Sequence, residues 1–273
     1  MTDSPPAHPQ PGTRSQQGAH SQPGTVPAGQ PLLQATSVQK CYGPHLVLAG
    51  VDLTLDAAQV TVILGENGAG KTTLMRVLAG DLPADGGRIA ILGYDLEGAP
   101  EAARKGLVYV AQHPPLAPLL SLREHAEALV AFRGLDPTQA TADLLALAGV
   151  FTLGHALDKP VRALSGGMAH KAALTLAFLA RTPLVLLDEP HAGLDVRSAL
   201  ALRRLIQGRR AEGTAFLLAS HLAEATLAVA DRALVLRQGQ LVLDLDAKDL
   251  KAFDGSARAF EQAVLAAMVG EPP

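Results

Sequence analysis

Gly65-Glu66-Asn67-Gly68-Ala69-Gly70-Lys71-Thr72-Thr73 decides how the rest of this chain is read. Glycines at both ends, followed by Lys and Thr, match the phosphate-binding loop pattern. The flanks give that pattern a context. Val60-Thr61-Val62-Ile63-Leu64 ahead of it reads as a buried strand. Thr72 to Ala79 behind it puts Leu74, Val77 and Leu78 on one helical face, with Gly80 as the stop. Strand, glycine loop and helix in that order predict a nucleoside triphosphate site. Successive backbone N–H groups of such a turn aim inward at dense negative charge, and the helix adds its positive end. Gly65, Gly68 and Gly70 lack a Cβ and let the backbone turn tightly against the phosphates, with Asn67 in the same cradle. Lys71 is expected to reach the β- and γ-phosphates, the Thr72 hydroxyl to ligate Mg²⁺, and Thr73 to touch the α-phosphate.

The chain has 273 residues, 48% of them hydrophobic, enough for one large domain or two small ones. A net charge of −3 predicts no general pull towards nucleic acid. No uninterrupted apolar run is long enough to span a bilayer; Ala172 to Ala180 is short and ends at Arg181 and Pro183. No charged-then-apolar signal segment opens the chain, so a cytoplasmic location is expected, with any membrane role arising through a partner. Cys41 is the only cysteine, which excludes an intrachain disulfide and a cysteine metal cluster; it is expected to be small and partly buried. Met1 to Pro31 is rich in Pro, Gly, Gln and Ser and poor in large apolar residues. It is expected to be a disordered tail, with His8 and His20 solvated and the folded region starting near Leu32.

Apolar runs then alternate with helical patterns. Leu33 to Lys40 and Leu46 to Leu55 read as antiparallel strands near an edge. Val60–Leu64, Leu107–Ala111, Leu184–Leu187, Ala215–Ala219 and Ala233–Leu236 read as core strands. Helical patterns cover Leu122–Phe132, Pro137–Ala148, Gly166–Leu179, Val196–Glu212 and Leu222–Val229. This alternation predicts an α/β fold with a parallel sheet covered on both faces. Ala247 to Gly270 carries Phe260, Val264, Leu265 and Met268 at helical spacing and predicts a helix packed on the domain.

Leu184-Val185-Leu186-Leu187-Asp188-Glu189 is an apolar run ending in two carboxylates. A strand buried on both faces carries Asp188 to the carboxyl edge of the sheet, where α/β ligands bind. Asp188 is predicted to hold Mg²⁺, directly or through water, and Glu189 to take a proton from an attacking water. Leu164-Ser165-Gly166-Gly167-Met168 fits two descriptions: a second anion site at a helix start, or a plain capped helix.

Gly65–Thr73, Gln112, Leu164–Met168, Leu184–Glu189, Gly193-Leu194-Asp195 and His221, in that order, resemble the ATP-binding cassette (ABC) ATPases from about Leu33 to Leu243. The resemblance implies a P-loop NTPase cassette over residues 32–245. It has a mostly parallel core sheet, an antiparallel β subdomain and a helical subdomain at about 113–180, with 1–31 and 246–273 as tails. It also implies roles. Tyr42 stacks on adenine. Gln112 reports γ-phosphate and Mg²⁺ to a membrane partner, and His221 contacts the γ-phosphate. Asp195 links the two sites of a dimer. Ser165, Gly166 and Gly167 close over ATP held by a second cassette, so that two ATP molecules lie between two protomers, identical or not. The chain departs from the usual pattern at Met168, at the less basic Ala169-His170-Lys171 and at His191, but Lys71, Glu189 and His221 are all present.

A single cassette of this family implies docking on a separate integral membrane permease at the inner face of the cell membrane. His113-Pro114-Pro115-Leu116-Ala117-Pro118-Leu119-Leu120 would line the groove for the permease. Leu120-Ser121-Leu122-Arg123-Glu124 and Phe132-Arg133-Gly134-Leu135 are similar to multidrug, antibiotic and haem exporter ATPases. The alternative is a soluble single-cassette ATPase of the iron–sulfur cluster assembly type.

Overall fold

The structure, a computed structural model, describes residues 29–221, 227–253 and 256–270. The tail expected through Pro31 lies almost wholly outside the described residues, as does most of the helix expected at Leu222–Val229. The elements in chain order are β1 (Leu33–Tyr42), β2 (His45–Leu55), β3 (Val60–Leu64), α1 (Lys71–Leu78), β4 (Gly86–Ile91), β5 (Tyr94–Asp95), α2 (Pro100–Lys105) and β6 (Leu107–Val110). They continue with α3 (Leu122–Arg133), α4 (Pro137–Val150), α5 (Gly166–Leu179), β7 (Leu184–Asp188), α6 (Val196–Ala211), β8 (Ala215–Ser220), β9 (Arg232–Arg237), β10 (Gln240–Leu245), α7 (Ala247–Ala252) and α8 (Ala257–Val269).

Every residue of β3, β7 and β8 is buried. Side chains alternate faces along a strand, so such runs feed two cores at once. Val62, Leu64, Val185, Leu187, Phe216 and Leu218 join a core shared with α3, α4, α5 and α6. Ile63, Leu184, Leu186 and Leu217 face the opposite core, with Leu74, Val77 and Leu78 of α1 and with β1 and β2. The core sheet runs β10-β9-β3-β8-β7-β6. β9, β3, β8, β7 and β6 pair in parallel, and only β10 is antiparallel. Register aligns Leu64 with Ser220 and Asp188 with Ala219. The residues that follow these strands therefore emerge side by side at one edge.

β1 and β2 pair antiparallel as expected, in a second sheet of order β2-β1-β4-β5 with β2 at its edge, the antiparallel β subdomain. This sheet leans on the phosphate loop through the β9–β10 turn. The Ala49 N–H donates to the Gly239 carbonyl at 2.9 Å, and the Gly239 N–H donates to the Ala69 carbonyl at 3.1 Å. Cys41 is exposed, not partly buried, because it follows the buried Lys40 on the outward-facing side at the end of β1. The C-terminal segment forms two helices rather than one. Leu250, Phe260 and Val264 pack into the core, whereas Leu265 faces outward.

Candidate functional site

The phosphate loop is braced where it leaves β3. A Cβ on Gly65 would lie 2.5 Å from the Leu236 carbonyl oxygen of β9, closer than any side chain tolerates. Gly70 has φ of +105°, which a side chain rarely adopts, and it caps α1 with no side-chain bond. The first-turn N–H groups of α1 are thereby left for an anion. Gly68 also sits at positive φ. Lys71 is buried and folds back over the loop: its Nζ donates to the carbonyls of Gly65 at 2.7 Å and Glu66 at 3.1 Å. An ammonium has three protons, so one remains for an incoming oxygen. Burial lowers the Lys71 pKa, and the charges of Glu189 and Asp188 oppose that shift. Lys71 and both carboxylates thus share one electrostatic site.

Asp188 ends β7 at 1% exposure. Both of its oxygens are buried without a well-formed hydrogen bond, the Thr72 and Tyr109 hydroxyls lying beside them outside good geometry. Burial pushes its pKa up and the Glu189 charge adds to that, against Thr72 and Lys71. A buried carboxylate lacking partners next to a hydroxyl is a hard-oxygen donor pair, which fits Mg²⁺. That ion characteristically takes one or two protein oxygens and completes its shell with phosphate and water. Among the described residues no cluster of three or more His, Cys, Asp and Glu could hold a metal.

Glu189 follows in the left-handed region, φ +49°, uncommon for a residue with a side chain. From this turn its carboxylate meets His221 of the adjacent strand end, where Oε1 accepts from Nδ1 at 2.9 Å. A carboxylate can only accept, so Nδ1 carries the proton.

Tyr42 is exposed at the tip of the β1–β2 hairpin, paired with His45. The hairpin reaches the loop's flank, since a Cβ on Gly70 would lie 3.0 Å from the Val47 carbonyl oxygen. Gln112 is exposed just past β6, at the same sheet edge as Asp188. Asn67 lines a cavity of about 560 Å³ with Glu66, Gly68 and Ala69.

The serine–glycine segment stands apart. The Ser165 Oγ accepts from the Met168 N–H at 3.3 Å and caps α5, and both Ser165 and Gly166 are exposed. Among the described residues, no hydrogen bond or ion pair joins Ser165, Gly166 or Gly167 to residues 65–73. The segment packs instead on the Gly193 loop, where a Cβ on Gly167 would meet the Gly193 carbonyl oxygen at 2.9 Å. Asp195 caps α6 by accepting from the Ser198 N–H at 2.8 Å, and it takes the Lys171 Nζ at 2.5 Å. Lys171 and Ser198 hold its carboxyl well below the usual range.

Three residues near the site were not expected from sequence: Tyr109 beside Asp188, His170 bonded to the Pro190 carbonyl, and Lys171 bonded to Asp195. The only sequence signals were a tyrosine in an otherwise aliphatic strand and the unusual Ala169-His170-Lys171.

A glycine cradle at a parallel strand end, an orphaned acid and a Glu–His pair on neighbouring strand ends define a nucleotide-binding cassette. The ABC transporter family profile matches residues 48–192. The chain is 33% identical over 213 residues to the lipopolysaccharide export system ATP-binding protein LptB of Escherichia coli (strain K12), covering 77% of this chain and 88% of that protein. It is 34% identical over 220 residues to the daunorubicin resistance ATP-binding protein DrrA3 of Streptomyces coeruleorubidus, covering 81% of this chain and 70% of that protein. A solved ATP-binding subunit of an ABC transporter superposes with a TM-score of 0.80 at 28% identity, over 87% of this chain and 99% of that one. The chain belongs to the ABC transporter family of ATP-binding cassettes, which bind and hydrolyse ATP.

Proposed function

We propose that two copies of this cassette, or one copy and a close relative, enclose two Mg²⁺–ATP and drive export through a separate membrane permease. The observation that carries the reading is the division of the site. The phosphate cradle, Lys71, Asp188 and the Glu189–His221 pair converge on one sheet edge, while Ser165 and Gly166 are exposed and, among the described residues, no hydrogen bond ties them or Gly167 to that cradle. A serine–glycine lid that does not serve its own cradle is suited to a neighbour's. A solved relative of the same fold at 20% identity carries the description of a dimeric ABC transporter cassette.

The residues then take these roles. Gly65, Asn67, Gly68 and Gly70 wrap the phosphates with backbone N–H groups. Lys71 gives its remaining proton to a β- or γ-oxygen, and Thr73 touches the α-phosphate. Tyr42 stacks on adenine. Thr72, Asp188 and Gln112 would hold Mg²⁺, Asp188 directly or through water. When bound, that ion neutralises phosphate charge and polarises the phosphoryl oxygens. Glu189 takes the proton of the attacking water, and His221, oriented by Glu189, contacts the γ-phosphate. Ser165, Gly166 and Gly167 close the partner's site, with Asp195 linking the two.

Among the described residues no helix is long and apolar enough to cross a membrane, so a transport role needs a permease partner. Pro114, Pro115 and Leu116 border a groove of about 340 Å³ with Asp81, Val108 and Leu129, and Leu119 beside them is 68% exposed. This apolar lip beyond Gln112 is the proposed docking face, at the inner face of the membrane. Export is favoured by the names of two relatives, one a lipopolysaccharide export ATPase and the other a daunorubicin resistance protein.

Glu189→Gln tests the reading. Glutamine keeps an acceptor for His221 but cannot take a proton, so turnover should fall by about 10²–10⁴-fold, while ATP-dependent dimers accumulate on size-exclusion chromatography. Wild-type turnover would refute the assigned base. A strictly monomeric variant at saturating Mg²⁺–ATP would refute the sandwich.

A further inference from the structure

We propose that His170 is a positioning residue for the hydrolytic glutamate: its imidazole on α5 grips the Pro190 carbonyl and so keeps Glu189 in its left-handed turn. The inference rests on the reading of Glu189 as the base.

His170 is 4% exposed, and its Nε2 lies 3.1 Å from the Pro190 carbonyl oxygen. A carbonyl only accepts, so Nε2 carries the proton. The other ring nitrogen, Nδ1, is buried with no partner. Burial pushes the ring's pKa down, and His113 pushes the same way against the Pro190 bond, which keeps the ring neutral. An unpartnered buried nitrogen destabilises the fold. A leucine of similar size would fill the space without that cost, so packing alone does not call for an imidazole here. What the imidazole adds is the N–H aimed at Pro190.

Pro190 is the lever. It has no N–H and its φ is fixed, so its carbonyl is the polar handle by which the turn can be held. Glu189, at φ +49°, sits in a conformation that persists only where the surroundings over-determine it. Its own N–H donates to the Ala219 carbonyl at 2.9 Å and its carbonyl accepts from the Ala192 N–H at 3.0 Å. The His170 bond fixes the turn from the other side. Two further contacts join the first turns of α5 to the same loop: the close approach of Gly167 to Gly193, and Lys171 to Asp195 at 2.5 Å. The lid and the loop carrying Glu189 are thereby tied into one body. Seating the lid on a partner's nucleotide then bears on the chain's own glutamate through His170.

The test compares His170→Leu with His170→Gln in kcat, KM for ATP and melting midpoint. Glutamine presents an N–H at similar reach and leucine presents none. Small misplacements of a reacting group cost up to about 10²-fold, so leucine should lower kcat about tenfold or more with KM within about twofold. Glutamine should restore kcat to within about threefold of wild type, and the two midpoints should agree. His170→Asn, polar but too short to reach Pro190, replaces leucine if that variant does not fold. Equal kcat for the reaching and non-reaching variants, or a kcat loss that tracks KM or melting midpoint, would overturn the proposal. In the Glu189→Gln background the leucine change should add no further loss, and an additive loss would also overturn it. Wild-type turnover of Glu189→Gln alone would instead remove the base assignment beneath it.

Discussion

Asp188→Asn should stabilise the nucleotide-free protein while abolishing its response to Mg²⁺. The carboxylate is 1% exposed and neither oxygen has a well-formed hydrogen bond. Its pKa is raised mainly by burial, with Glu189 adding, and the opposing pull of Thr72 and Lys71 does not compensate. A raised carboxylate pKa means that the charged form weakens the fold at neutral pH, and that stability returns as pH falls through the folded value. Asparagine keeps the shape and removes the charge, although its amide still lacks partners at about 1–3 kcal/mol. Relieving a functional-site burden of this kind typically gains about 0.5–2 kcal/mol. For a domain of this size each kcal/mol moves the midpoint by about 2–4 °C. Differential scanning fluorimetry in EDTA should therefore show a rise of a few degrees. With ATP present, adding Mg²⁺ should raise the wild-type midpoint further, since a ligand bound only by the native state stabilises it by mass action. The variant should lose that Mg²⁺-dependent increment. A midpoint in EDTA several degrees below wild type would show that the carboxylate is satisfied in the fold. A retained increment would show that Asp188 does not bear on the metal.

Ser165→Arg should leave ATP binding to the dilute monomer unchanged, cost about 1 kcal/mol through the lost cap of α5, and impair hydrolysis at dimer-forming concentrations; equal loss of monomer binding by equilibrium dialysis would refute the across-dimer lid. Leu119→Asp, at an exposed position, should leave ATPase activity and melting midpoint unchanged but reduce recovery of an integral membrane partner from solubilised membranes; unchanged recovery would move the docking face elsewhere. Burial depresses both His170 and His191, with Glu189 opposing at His191 and His113 and His170 as the neighbouring imidazoles. The unfolded chain takes up protons below about pH 6.5 that the folded one refuses. The resulting stability is present above that pH and is lost as pH falls towards the folded values. His170→Gln should flatten the decline in midpoint between about pH 6.5 and 5 relative to wild type; parallel curves would show that His170 titrates as in the unfolded chain.

The parts of this fold visible in the sequence are those where burial is two-sided or a cap is explicit. β3, β7 and β8 are buried throughout and read as apolar runs. α5 was delimited at Gly166–Leu179 by the Ser165 cap at one end and Arg181 and Pro183 beyond the other. β4 starts with two glycines, β5 has two residues, α2 is short, and β10 alternates between exposed and partly buried positions. β4, β5 and α2 carry no strong periodic signal, β10 is short and only partly buried on its inner face, and none of the four is expected from the sequence. Within the site, residue types were legible and pairings were not. The glycines announce a cradle, but nothing local says that Gly65 must clear the Leu236 carbonyl or Gly167 the Gly193 carbonyl. The Glu189–His221 contact spans 32 positions and the His170–Pro190 contact 20. Such partners are set by strand order and helix packing, which exist only once the sheet has formed.

That sheet order also bears on the proposal that hydrolysis waits for assembly. Asp188 and Glu189 are adjacent like charges, and Lys71 spends two of its protons on loop carbonyls. Glu189 is paired with His221 rather than free for water, in a strained turn whose geometry depends on the loop running to Asp195. The same loop is bonded to the helix behind the lid through Pro190, Gly193 and Asp195. A change at the lid therefore reaches the glutamate through short contacts, the His170–Pro190 bond buried among them, whereas the phosphate loop is braced separately on β9 and β2. On this arrangement nucleotide binding and proton abstraction belong to different rigid parts. Substitutions in α5 should shift kcat with little change in nucleotide affinity, and substitutions at the β9–β10 turn should do the reverse. A Gly239→Ala variant puts this to the test: its Cβ would lie 2.3 Å from the Val47 carbonyl oxygen at a position with φ +76°. It should disturb the loop brace and weaken ATP binding, leaving single-turnover hydrolysis of bound ATP close to wild type. A turnover defect with unchanged affinity would show that the two parts are not mechanically separate.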